Sequence, residues 1–297
     1  MTTKNAFIMM FLCAIIVSLF ISSPVSSQVG VFSKEARIEY TQQNPFDRFP
    51  DGRPKVRDDI IQRMKEVSIE EAWGVLRQHG YNFQFEGNWL NVHPERVLVG
   101  RAVTAAFMPV RPDVNDIITA KGKTEGRIGG QNSWVIDTLV EGDVIVVDLF
   151  GKIQDGTFAG DNLGNSIYSR SKTGMIIDGG IRDLDGNFEI PNFSIFVRGV
   201  DPTAIADVML MGINIPVRIG RVTVMPGDVI LGRREGIIFI PPQFAEEVVK
   251  ESEKIRLRDE FGHLRLREKK YTPGQIDSKW TPEIEKDFEQ WLKTRNK

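Results

Sequence analysis

Apolar and polar residues change rhythm along this chain, and each change marks a predicted element. From Ile60 the apolar positions Ile60, Ile61, Met64 and Val67 fall on one helical face. Ser68 and Glu71 then stand at capping-box spacing, and Ile69, Ala72, Trp73 and Leu76 form a second stripe closed by Gly80. Two helices, or one broken helix, are predicted there. From Arg96 the rhythm shortens to strand-like runs: RVLVGRAVTAAFMPV, DVIVVDLFG, GMIID, FSIFVRG, VRIGRVTVM, DVILG and GIIFIP. Gly, Pro and Asp bound them, as they bound strands in a compact sheet. Two open alike, EGDVIVVD at 141–148 and PGDVILGR at 226–233, so a Gly-Asp turn feeds an aliphatic strand twice. Helical stretches between strands are few, around 132–139, 163–171 and 202–211. Strands with intervening helices predict a layered α/β core over about residues 68–242.

The flanks read differently. Residues 28–57 are rich in Pro, Gln, Asn and charge without a period, which predicts an arm lying on the surface. Residues 244–270 are heavily charged with apolar Val248, Val249 and Ile255, an amphipathic helix. A last helix opens at Thr281 and Pro282 and carries Ile284, Phe288, Trp291 and Leu292 on one face. Residues 243–297 thus form a charged helical C-terminal extension. Residues 111–130, including GKTEGRIGG, read as a flexible insertion: a lid or substrate-selecting loop, or a solvated surface loop.

Composition adds limits. Lys plus Arg is 38 and Asp plus Glu is 40, a net charge of −2, which suggests no nucleic-acid partner. Downstream of Lys4, AFIMMFLCAIIVSLFI is followed by SSPVSSQ, with Val25 and Ser27 at −3 and −1 cleavage positions. Residues 1–27 therefore read as a secretory signal peptide, and the protein as secreted or periplasmic, with a membrane attachment only if the signal stays uncleaved. The single cysteine, Cys13, lies inside that run, so a mature chain has no disulfide and no thiol chemistry. His79, His93 and His263 lack ligand spacing, and Ser166 and Ser169 lack a nucleophile-elbow context. Trp73, Trp89 and Trp134 read as core or subunit-interface residues.

One pair of segments can carry chemistry. In FAGDNLGNSIYSRSKT, Gly160, Asp161, Asn162, Leu163 and Gly164 form a loop turning into a helix, with Asp161 or Asn162 available as N-cap. Free N–H groups at such a start suit a carboxylate or phosphate. The next strand, GMIIDGGIRD, ends on Arg182 and Asp183, which could fork onto a carboxylate and bind a hard cation, respectively. By spacing alone, an ordinary turn with a surface ion pair is the stronger account of those residues.

GDNL at 160–163 followed by SRSKTGMIIDGGIRD at 169–183 resembles the core signature of the RraA-like family, which includes 4-hydroxy-4-methyl-2-oxoglutarate aldolases. VGRAVT at 99–104, FVRGVDPT at 196–203, EGDVIVVD and PGDVILGRREGIIFIP extend the resemblance in order over about 170 residues. The resemblance implies a β/β/α swivelling-domain-like core at 58–242 and a homotrimer or homohexamer. It implies that Gly160, Asp161, Asn162 and Leu163 bind the carboxylate of a small 2-oxo acid through backbone amides, that Arg182 contacts the substrate, and that Asp183 holds Mg2+ or Mn2+ in a water shell. Asp161 would order a metal-bound water. The activity implied is that of a class II aldolase or oxaloacetate decarboxylase, a lyase that releases pyruvate. Within the same family a non-catalytic regulator, or an enzyme acting on another oxo or hydroxy acid, are the alternatives.

Overall fold

The computed structural model describes residues 32–295. The signal-peptide expectation for residues 1–27 lies outside the described residues. In chain order the elements are α1 (Lys34–Tyr40), β1 (Asp47–Arg48), β2 (Pro54–Lys55), α2 (Asp58–Met64), α3 (Ile69–Gln78), β3 (Phe85–Glu86), β4 (Leu90–Asn91) and β5 (Leu98–Pro109). There follow α4 (Pro112–Thr124), α5 (Gln131–Ile136), β6 (Asp143–Thr157), α6 (Asp161–Ser171), β7 (Gly174–Ile181), α7 (Leu184–Phe188), β8 (Ser194–Val200) and β9 (Val208–Ile213). The chain continues through β10 (Val217–Ile219), β11 (Val222–Val224), β12 (Val229–Arg233) and β13 (Gly236–Ile240), and closes with α8 (Ala245–Arg267), α9 (Pro273–Ile276) and α10 (Pro282–Arg295).

The main sheet runs β3-β13-β12-β5-β6-β7-β8-β4, with β9 added to β5. Its centre, β5-β6-β7-β8, is parallel, and the flanking pairs are antiparallel. Both faces are covered, which is why the central strands read as unbroken apolar runs. On β6, Ile145 and Val147 face the core shared with α5 and α6, whereas Val144 and Val146 face the small β10-β11 sheet. Helix, sheet and small sheet are thus the three layers of the α/β architecture. A further core joins α2, α3 and α8 to β12 and β13, and Phe261, Trp280 and Ile284 centre a separate cluster in the C-terminal helices.

Several expectations are corrected. Residues 111–130 are not a loop: α4 occupies 13 of them, opened by Pro112 and seated where Gly122 lets the Trp134 ring come close. Only Gly122 of that helix is buried, so no apolar stripe announces it. The stretch 202–211 contains no helix; its apolar residues form β9, paired with β5 through Phe107↔Leu210 and Met108↔Met209. The alternation of Val208 and Leu210 with Met209 and Met211 has the strand period, not the helical one.

The arm is anchored rather than laid on the surface. α1 and the β1-β2 hairpin hold two buried arginines, Arg37 and Arg53. Arg53 donates to Asp143 Oδ1 at 2.9 Å and to Asp51 Oδ2 at 2.7 Å, and Asp143 is fully buried. Charge pairing fixes this segment, which is why apolar periodicity is missing from it. Trp73, placed on the apolar stripe of α3, is exposed and carries the Arg77 guanidinium 4.8 Å from its ring centre; Val75 takes its place in the core. The capping box of Ser68 and Glu71 forms as expected.

Candidate functional site

Strand β7 and helix α6 meet at their facing ends. β6 and β7 pair in parallel, and the chain leaves β6 at Thr157, crosses the strand ends through Phe158–Gly160 and enters α6. The crossing is pinned by backbone bonds from Phe158 N–H to Gly180 O at 2.8 Å and from Arg182 N–H to Ala159 O at 3.1 Å. These bring Gly160 against Arg182 and Asp183. A Cβ on Gly160 would collide with Asp183 Oδ2 and stand 3.0 Å from Arg182 Nε. The two sequence segments separated by 22 positions are therefore adjacent in space, at the carboxyl end of the parallel strands, where open α/β sheets place ligands.

Arg182 Nε lies 3.3 Å from Asp183 Oδ2, and both side chains are about half exposed, at 41% and 48%. Neither is spent on a buried structural pair, so both remain available to a ligand. Asp183 adopts a left-handed backbone, φ 53° and ψ 51°, and is the N-cap of α7 without using its side chain as a cap. That conformation is unfavourable for a residue with a Cβ and is held by its surroundings. Asn187 does much of the holding: its Nδ2 donates to Arg182 O at 2.9 Å and to Asp183 O at 3.1 Å. Its Oδ1 is buried without a hydrogen-bond partner, facing Gly164, where any Cβ would collide with it.

The start of α6 differs in detail from expectation. Gly160, not Asp161 or Asn162, is the N-cap, and no side chain caps the helix. Asp161 is its first residue, and its Oδ1 accepts from Asn162 N–H at 2.8 Å. The Asn162 amide is thus already engaged, whereas the Asp161 and Leu163 amides have no partner among the described residues. Asp161 also packs on Gly186, whose Cβ would stand 2.9 Å from Asp161 Oδ2. α6 and α7 are joined by two glycine contacts, Gly164 to Asn187 and Gly186 to Asp161. Gly186 and Asn187 were missed in the sequence because DGN reads as an ordinary turn.

Gly179 and Gly180 serve the scaffold rather than a ligand. A Cβ on Gly179 would stand 2.9 Å from Leu149 Cβ and Lys152 O, and one on Gly180 would stand 3.0 Å from Ile153 O. β6 is irregular there, with register shifts between Asp148 and Thr157, and its bulged backbone folds over the glycine pair. His93 is buried elsewhere, stacked on Phe188 and bonded through Nε2 to Phe188 O at 3.1 Å, at the far end of α7.

No cluster of three or more His, Cys, Asp or Glu side chains that could hold an ion occurs among the described residues. The donor set present suits a hard, largely hydrated cation: Asp183 offers an accessible carboxylate, and an ion such as Mg2+ can accept one carboxylate while filling its remaining positions with water or substrate oxygens. Helices long and apolar enough to cross a membrane are likewise absent from the described residues.

A family model described as RraA-like, Aldolase/RraA, matches residues 58–239. A protein of Halalkalibacterium halodurans, provisionally named a 4-hydroxy-4-methyl-2-oxoglutarate aldolase, is 32% identical over 161 residues, which cover 53% of this chain and 75% of that one. Two solved structures share the fold. An uncharacterized protein from Pseudomonas syringae pv. tomato superposes with a TM-score of 0.61 at 21% identity, covering 75% of this chain and 98% of its own. Streptomyces coelicolor RraAS2, described as an unusual member of the RNase ES inhibitor RraA family, gives 0.59 at 22% identity over 74% and 100%.

Proposed function

The chain belongs to the RraA-like family, and from that premise we propose that it is a divalent-metal-dependent lyase that cleaves a carbon–carbon bond in 2-oxo acids and releases pyruvate. The observation that carries the proposal is the seating of Gly160 against the Arg182–Asp183 pair, which joins helix-start amides, a guanidinium and a half-exposed carboxylate at one strand end. The substrates are a 4-hydroxy-2-oxo acid of the 4-hydroxy-4-methyl-2-oxoglutarate type, or oxaloacetate.

In the first case the C3–C4 bond breaks, the C4 hydroxyl loses its proton and becomes a carbonyl, and the bond electrons collect as pyruvate enolate. In the second, carbon dioxide leaves and the same enolate forms. Asp183 would hold a Mg2+ or Mn2+ ion, which would supply Lewis-acid stabilisation of that charge. Arg182 contributes a fixed positive neighbour and can fork onto the substrate carboxylate. The Asp161 and Leu163 amides, at the positive end of an 11-residue helix, orient the same carboxylate. Asp161 orders a water beside Asp183. Protonation of C3 completes pyruvate.

Export and a homotrimeric or homohexameric assembly belong to the same proposal. The run after Lys4 supports export, and the shallow, half-exposed setting of Arg182 and Asp183 supports completion of the site by a neighbouring copy. Sequencing of the mature amino terminus and sedimentation analysis test these two points; an intact Met1 or a monomer overturns them.

The activity is tested by pyruvate release from both substrates, with Mg2+ or EDTA, for the wild type and Asp183→Ala. Release that needs Mg2+ and is lost in the variant supports the proposal. Activity surviving both treatments overturns the metal role. Folded protein that binds Mg2+ but releases no pyruvate moves the assignment to a regulator or to another oxo or hydroxy acid.

A further inference from the structure

Of the carboxylates in the two Gly-Asp turns, Asp228 is the one without a counter-ion among the described residues. The turns are built alike: Val140 N–H donates to Asp143 Oδ2 at 2.9 Å, and Met225 N–H donates to Asp228 Oδ2 at 2.8 Å. Asp143 is then neutralised by Arg53 at 2.9 Å. Asp228 is only 2% exposed, forms no ion pair, and takes no second hydrogen bond among the described residues. Burying a carboxylate with one N–H donor and no counter-ion is costly.

What it faces is a cavity of about 300 Å3 beneath the end of α1. The walls combine Met225, Pro241 and Pro242 with Tyr81, Gln84 and Gln243, and no Lys, Arg or His among the described residues lines the cavity. Gln84 spends its Nε2 on Phe239 O at 2.9 Å, which leaves its Oε1 as an acceptor. One acid, free acceptors, aromatic and apolar walls and no base describe a receptor for a positive charge on a carbon skeleton.

We propose that this cavity is a binding site for a small organic ammonium ion, with Asp228 as its counter-charge and Gln84 Oε1 as a second acceptor. The site lies apart from Arg182 and Asp183: none of the residues lining it belongs to α6, β7 or α7. Burial pushes the Asp228 carboxyl up to about 7, so an entering ammonium expels a proton at mildly acidic pH.

Calorimetry on the full chain decides the matter, with n-butylammonium chloride as probe and potassium chloride at equal ionic strength as the second arm. Each titration is run near pH 6 and pH 8 in buffers of different ionisation enthalpy. The expected result is saturable n-butylammonium binding, about tenfold tighter at the higher pH, with close to one proton released per site at the lower. Asp228→Asn retains an acceptor for Met225 N–H and should lower affinity at least tenfold. Binding indifferent to pH, an unaffected Asp228→Asn variant, or no saturable heat overturns the proposal. Saturable potassium binding without n-butylammonium binding also overturns it, in favour of a metal-cation site. Should the variant fail to fold, proton release by the wild type decides alone.

Discussion

The Asp183 carboxylate occupies the space that a side chain on Gly160 would need. Gly160 has φ −97° and ψ −170°, backbone that any residue adopts, so its requirement for glycine is steric and not conformational. Gly160→Ala should therefore fold and displace Asp183 and Arg182 together. Displacements of an ångström at reacting groups cost about 100-fold in rate. Pyruvate release should fall by about that factor with little change in melting temperature. A variant with wild-type turnover would remove Gly160 from the site.

Asn187 acts on the same pair from behind. Its two donations to the Arg182 and Asp183 carbonyls hold Asp183 in its left-handed conformation. Asn187→Ala removes both and opens a small void beside Gly164. The expected stability loss is about 1–2 kcal/mol, from the two lost side-chain bonds and the void; the Asp183 carbonyl keeps the Asn187 N–H at 3.0 Å. Turnover should fall further than that loss explains, because Asp183 regains access to other backbone wells. Urea unfolding alongside Mg2+ affinity measures both effects; destabilisation with unchanged affinity would assign Asn187 to packing alone.

How far the sequence shows this site depends on the kind of signal each residue leaves. The strands of the main sheet were legible because burial on two faces writes long aliphatic runs, as in DVIVVD and GIIFI. Arg182, Asp183 and the Gly160 turn were legible through their motif. Gly179 and Gly180 carried the same kind of signal but serve β6, because a glycine reports close approach without naming what approaches. Asn187, α4 and the arm left no period. The first is one polar residue in a turn, the second buries only Gly122, and the third is fixed by Arg37 and Arg53, whose charges read as surface.

Arg53 tests that last point. It is 2% exposed and spans from the hairpin of the arm to Asp143 at the start of β6. Removing one member of a buried pair strands the other, at a typical cost of about 3–5 kcal/mol. Arg53→Met should lose stability in that range in urea unfolding, and the double variant Arg53→Met/Asp143→Leu should recover part of it. A loss under about 1 kcal/mol would mean that the arm is held instead by α1 and by Phe46, which packs against the core of α2, α3 and α8.

The unpaired twin of Asp143 makes stability depend on pH in the opposite sense from most carboxylates. Burial raises the Asp228 carboxyl from 3.8 to about 7, and the Met225 N–H only partly opposes it. Between those values the folded chain keeps a proton that the unfolded chain has lost. Stability contributed by this group is therefore full below about pH 4, declines as pH rises, and levels off above about pH 7. A shift of that size corresponds to about 4 kcal/mol. Asn at this position keeps the acceptor for Met225 N–H but cannot ionise. Asp228→Asn should match the wild type near pH 4 and exceed it in stability near pH 8, by up to that amount, in amine-free buffer. Parallel stability curves for the two proteins across this range would show that Asp228 is ionised throughout and that a cation or water already compensates it.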